Sequence, residues 1–173
     1  MEIGSSLTSI CSYAFSGATA LTTVTGCANL TGIGDNTFYG DKALASVAGC
    51  TKVTRIGKKA FYNCAALTKV GATADQIKFA AVKTVGENAF SGCKKAGVID
   101  FGSKLTTIGE SALKSTSGLK SLYIRSTGLK TAGADAFKGI NASAIIYVPK
   151  TKVTSYKNGV LKGKGATLPV KGI

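Results

Sequence analysis

The chain has no histidine, no tryptophan, two prolines and eight carboxylates among its 173 residues. Each shortage excludes something. Without histidine, the Ser-His and Cys-His arrangements of nucleophilic hydrolases cannot be assembled, and the usual nitrogen ligand of zinc is missing. The five cysteines include no Cys-x-x-Cys spacing that would point to a metal site instead. The eight acids are scattered, so no general acid–base pair is suggested. Gly32-Ile33-Gly34 is not a phosphate loop, because the Gly-x-x-x-x-Gly-Lys-Ser/Thr pattern is absent. Long apolar runs are lacking too: Ala144-Ile145-Ile146-Tyr147-Val148 is strand-sized and cannot cross a bilayer. The N-terminus has no basic region followed by a long apolar one, so no secretory signal is visible. The expectation is a protein without cofactor, metal, membrane insertion or catalysis.

Small residues are plentiful. Glycine alone contributes 22, and hydrophobic residues make up 45% of the chain. That suits one domain with a real core and tight packing between similar units. The net charge of +14 is uneven. Residues 1–50 carry one basic and three acidic residues, a net of −2, whereas residues 51–173 carry 21 basic and five acidic, a net of +16. A basic region of this kind attracts polyanions, or it forms a solvated lysine face that maintains solubility.

An internal repeat organises the rest. The first unit reads Leu7-Thr8-Ser9-Ile10, Ala14-Phe15, Leu21 and Val24. The frame returns as Leu30, Ile33, Phe38, Leu44, Val47, then as Val53, Ile56, Phe61, Leu67, Val70, and again as Val82, Val85, Phe90, Ala96, Ile99. The fifth copy is Leu105, Ile108, Leu113, Leu119, Leu122, and the sixth Leu129, Ala132, Phe137, Ser143, Ile146. Starts fall at 7, 30, 53, 82, 105 and 129, so the steps are 23 or 24 residues except for one of 29. The long step places an insertion near Thr73–Ala80, expected on a loop at an edge. A coil of this length cannot bury its apolar residues alone, but stacked coils place Leu on Leu and Phe on Phe in a continuous core. The segment from Leu21 to Gly26 and its counterparts alternate as strands do. Side by side they predict a parallel sheet, with the Leu-x-x-Ile-Gly segments forming a second row of short strands and Ala-Phe a tight turn. The predicted fold is a leucine-rich-repeat solenoid of right-handed coils with little helix. It covers residues 1–149, including a partial unit at 1–6, and residues 150–173 form a C-terminal cap or tail. Val153, Tyr156, Val160 and Leu161 suit a cap over 150–162, with a looser tail beyond. The first unit has no polar cap, which predicts further repeats or another domain upstream, or an end that pairs with something.

The pattern Leu-x-x-Ile-Gly-x-x-Ala-Phe-x-x-Cys-x-x-Leu-x-x-Val resembles the BspA-type leucine-rich repeat. The third unit carries it most fully, from Val53 through Ile56-Gly57, Ala60-Phe61, Cys64 and Leu67 to Val70. Ile146-Tyr147-Val148-Pro149, followed by Val153 and Tyr156-Lys157, is similar to that family's closing segment. The family often has Ile-Pro after the strand, whereas Gly26-Cys27 and Gly49-Cys50 stand there in this chain. The resemblance implies a secreted or cell-surface protein used in adhesion, whose partner is a host or cell-surface protein. It does not imply which one.

Cys27 and Cys50 share one place in neighbouring units, as do Cys64 and Cys93, close enough on paper for disulfides. The favoured reading is a ladder of free, buried thiols, all five reacting only after unfolding. For binding, the outward residues of the main sheet are informative. Early rows are small: Thr22, Thr23 and Thr25, then Ala45, Ser46 and Ala48. Later rows also place Ala144 outward and carry Lys69, Asp100, Lys120, Tyr123, Arg125 and Tyr147, which are the partner-binding candidates. Tyrosine and arginine are enriched at interface hot spots, but Tyr123 and Tyr147 can equally pair across strands merely to cover the sheet. Two functions follow. One is adhesion or protein–protein binding. The alternative is polyanion binding through the basic two-thirds, to sulfated glycan or, less well supported, to nucleic acid, since no basic stretch is interleaved with stacking aromatics.

Overall fold

The computed structural model describes residues 1–71, 76–165 and 168–173. Ala72 and residues 73–75 of the expected insertion lie outside the described residues. In chain order the strands are β1 Ser9–Ile10, β2 Thr23–Val24, β3 Gly32–Ile33, β4 Ser46–Ala48, β5 Arg55–Ile56, β6 Lys69–Gly71, β7 Ile77–Phe79, β8 Thr84–Val85, β9 Val98–Phe101, β10 Thr107–Ile108, β11 Ser121–Ile124, β12 Thr131–Ala132, β13 Ile145–Val148 and β14 Val170–Gly172. They form two parallel sheets on opposite sides of a solenoid. The main sheet runs β14-β13-β11-β9-β7-β6-β4-β2, and the second runs β1-β3-β5-β8-β10-β12. The second row of short strands is therefore present.

Each coil closes because two residues per turn adopt left-handed backbone. The first is Tyr13, Asn36, Lys59, Asn88, Ser111 or Asp135, with φ between 52° and 62°. The second is Gly17, Gly40, Asn63, Gly92, Ser115 or Gly139, with φ between 57° and 78°. Between them sits the aromatic of the repeat, aimed inward. Phe15, Phe38, Phe61 and Phe90 stack at centroid separations of 5.3, 5.2 and 5.2 Å, with interplanar angles of 5°, 14° and 8°. Val24, Val47, Val70 and Ile99, from β2, β4, β6 and β9, line the opposite wall and are fully buried. Branched side chains fit that pleated inner surface.

Residues 77–79 of the insertion do not lie on an edge loop. They enter the main sheet as β7, pairing Val70↔Ile77 on one side and Ile77↔Ile99, Lys78↔Asp100 and Phe79↔Phe101 on the other. On the second sheet β5 pairs directly with β8. One wall thus gains a strand that the other lacks, an excess of about 4.8 Å at the usual strand spacing. The wedge is filled by Phe79 and Phe101, whose rings tilt against Phe90 at 6.1 and 6.2 Å.

After Pro149 a short 3-10 turn leads into helix α1, Val153–Asn158. Tyr156 anchors this segment: its hydroxyl accepts from the Leu129 amide at 2.9 Å and donates to the Ser126 carbonyl at 3.0 Å. The chain beyond 162 was expected to loosen. Instead β14 joins β13 in parallel register, Ile146↔Val170, Tyr147↔Lys171 and Val148↔Gly172, and so extends the main sheet by one more strand. A second correction concerns the sixth coil. Ala144 is fully buried and Ser143 faces solvent, so Ala144 takes the inward place that Leu119 holds in the coil before.

Candidate functional site

The outer face of the main sheet brings the candidate residues together selectively. Register aligns Asp100 with Tyr123 and Tyr123 with Tyr147. The row continues to Lys78 on one side and to Lys171 on the other. Lys78–Asp100–Tyr123–Tyr147–Lys171 is therefore one line across five strands, about 19 Å long at the usual spacing. The two tyrosine rings stack at 4.7 Å. Arg125, just beyond β11, places its Nε 3.0 Å from both Asp100 oxygens, and its guanidinium lies 5.1 Å from the Tyr123 ring centre. Asp100 is outward in register yet its side chain is only 4% exposed, because Arg125, itself 46% exposed, covers it.

Two candidates stand apart. Lys69 pairs with Ser46 in the adjoining row, and β7 and β9 separate its strand from β11. Lys120 is exposed at the entry to β11, outside the stacked line. Sequence reasoning missed Lys78 and Lys171. Each lies on a strand that breaks the repeat frame, one inserted and one beyond the last unit, so no periodicity marked them. It also missed an aromatic pair on the turn face, Tyr39 and Tyr62, whose rings stack at 5.0 Å. These follow the repeat phenylalanine in adjacent units, and that spacing was visible.

The cysteines are unpaired. Cys27, Cys50, Cys64 and Cys93 are buried, but Cys11 is exposed, so the expectation of five hidden thiols fails at one position. The Cys27 thiol beside it, and then burial, push Cys50 well above the usual thiol range. Burial does the same for Cys64 and Cys93. Among the described residues no group of three or more potential ligands is placed to hold a metal ion, and no helix is long and apolar enough to cross a membrane.

Stacked coils, two parallel walls and a buried Phe and Leu ladder define a leucine-rich-repeat β-solenoid. The chain belongs to the BspA-type leucine-rich repeat family, whose six-copy repeat region matches residues 1–79 and 72–167. No curated protein matches it. Among solved structures, it is similar to a leucine-rich repeat protein of T. pallidum, at 19% identity and a TM-score of 0.77, over 98% of this chain and 86% of that one. A leucine-rich repeat protein from Bacteroides ovatus shares 24% identity and a TM-score of 0.63, over 100% and 47%. A leucine-rich cell surface protein from Faecalibacterium prausnitzii shares 18% identity and a TM-score of 0.58, over 82% and 43%. The chain spans less than half the length of the last two. At these identities the likeness concerns the fold.

Proposed function

We propose that this chain is a non-catalytic binding module of a cell-surface or secreted protein, and that it engages a protein partner through the Asp100–Tyr123–Tyr147 row. The observation that carries the reading is the aromatic line held rigid on the sheet, with Arg125 fixed by Asp100 and laid against Tyr123. Preorganised tyrosine and arginine side chains lose little conformational entropy on binding, which is why they dominate interface energetics. Lys78, Arg125 and Lys171 outnumber Asp100 along this line, so an acidic partner surface is the electrostatic complement. Likeness to a leucine-rich cell surface protein from Faecalibacterium prausnitzii supports the location.

The test is capture of purified cell-surface ectodomains from a panel, with the wild type and with Tyr123→Ala and Arg125→Ala. A partner bound by the wild type should be held about tenfold more weakly or worse by each variant, the ratio that corresponds to about 1.4 kcal/mol. Undiminished capture would remove this row from consideration.

A second reading has its own observation. Residues 136–173 contain seven lysines and no acidic residue, and Lys150, Lys157, Lys162 and Lys171 among them are exposed. That end of the solenoid presents a positive face suited to a sulfated glycan.

A further inference from the structure

Cys64, Cys93 and Thr116 hold one place in successive coils, each directly after the second left-handed turn residue. All three are buried, and each brings a donor within hydrogen-bond reach of the carbonyl of the aromatic residue one coil earlier, the Thr116 hydroxyl being shared with the Leu113 carbonyl of its own coil at 2.8 Å. Cys64 Sγ reaches Phe38 O at 2.9 Å, Cys93 Sγ reaches Phe61 O at 3.1 Å, and Thr116 Oγ1 reaches Phe90 O at 3.2 Å. The place holds a donor in these three coils and an apolar side chain, Ala18 and Ile140, in the first and sixth. In the second coil it is occupied by Asp41, and the carbonyl one coil earlier belongs to Phe15. An ionised carboxylate has no proton to donate. Asp41 is fully buried, and neither of its oxygens has a hydrogen-bond partner among the described residues.

We propose that Asp41 is a proton-binding site between the first two coils: protonated, it donates to the Phe15 carbonyl as Cys64, Cys93 and Thr116 donate to theirs, and ionised, it loosens the first coil. Burial pushes its carboxyl up to about 6 from the ordinary 3.8, against the smaller opposing pull of the Ala18 and Gly17 amides. The groups that face it are few. The first coil offers those two amides, and Ala18, its own counterpart there, has no polar side chain. The third coil offers the Cys64 thiol, which burial keeps protonated through neutral pH. Lys42, next in the chain, is exposed.

The folded carboxyl binds its proton more tightly than the unfolded one. Its contribution to stability is therefore fully present below about 3.8 and is lost as pH rises through about 6. That is the reverse of ordinary acid denaturation. The first coil is where the effect would show. Its Phe15 is only partly buried, and Leu7 and Tyr13 are 43% and 64% exposed. Local opening starts in such places.

Amide hydrogen exchange of the full chain between pH 5 and 7.5, corrected for intrinsic rates, tests the proposal. Protection over residues 3–25 should fall about tenfold across that range, the part of the full effect that remains above pH 5 when a carboxyl pKa of about 6 is set against 3.8, while protection over 85–124 holds. Asp41→Thr supplies the donor that Thr116 provides, and should raise first-coil protection at pH 7.5 and flatten its pH dependence. Asp41→Asn, which supplies an N–H donor in a side chain of the same shape, should do likewise. A flat wild-type profile would overturn the proposal. So would first-coil protection at pH 7.5 that falls in both variants.

Discussion

Cys11, Cys27, Cys50, Cys64 and Cys93 share a chemistry but not an environment. Cys64 and Cys93 are spent on hydrogen bonds to backbone carbonyls inside the core. Cys27 and Cys50 lie beside each other within it, whereas Cys11 faces solvent on the first coil. Thiolate reactivity needs both access and an attainable pKa, and burial denies both to Cys50, Cys64 and Cys93. A thiol reagent at neutral pH should modify one cysteine per native chain and the remaining four only in denaturant. Two or more fast thiols in the native protein would contradict the packing described. The spacing alone indicated that Cys27 matched Cys50 and Cys64 matched Cys93. It did not expose Cys11 as different, because the frame of the first unit looks like that of the others.

At the scale of the element, the short Ile-Gly strand ends explain why the coils can approach so closely. A methyl group at Gly109 would lie 2.5 Å from the Glu87 amide nitrogen and 2.6 Å from the Gly86 carbonyl carbon, both backbone atoms of the preceding coil. Backbone cannot step aside as a side chain can, so Gly109→Ala should cost about 1–3 kcal/mol, as overpacking does. Gly97→Ala is the control. Nothing lies within 4 Å of the added carbon there, and it should stay within about 0.5 kcal/mol of wild type. Urea unfolding of the two variants decides the matter. These glycines were legible as a repeated dipeptide, but the reason for them was not, since it lies in the neighbouring coil. The inserted strand β7 was missed for a related reason. Its Ile77-Lys78-Phe79 alternation is too short to identify alone, and only pairing with β6 and β9 makes it a strand.

For the molecule as a whole, the two proposed binding modes predict different responses to salt. Charge spread evenly over a surface gives weak, delocalised retention on a polyanion, whereas a concentrated lysine face gives strong retention that falls steeply with salt. If the C-terminal end binds sulfated glycan, combined substitution of Lys157, Lys162 and Lys164 by Gln should lower the salt at which the protein elutes from heparin far more than the same change at Lys58, Lys59 and Lys83. The first set has no acidic neighbour in its segment, while Lys58 is already paired with Glu87 at 2.9 Å. Equal effects from both sets would reduce the polyanion reading to net charge. Elution of the wild type at low salt would remove it.

The coil period, the inward Leu, Phe and Val columns and the two rows of strands were all readable from residue order. They depend on local periodicity, and each coil repeats its neighbour. The line from Lys78 to Lys171 was not readable. Asp100, Tyr123 and Tyr147 share a frame position that any coil would display, but the residues that complete the row come from an inserted strand and a returning C-terminal strand, which obey no period. Burial could not be read from the frame either. Asp100 and Asp41 are both carboxylates at regular repeat positions, one outward and covered by Arg125, the other inward and without a partner among the described residues. Which one is satisfied depends on atoms one coil away, some 23 to 26 residues distant in the chain, and only stacking brings those atoms within hydrogen-bond range.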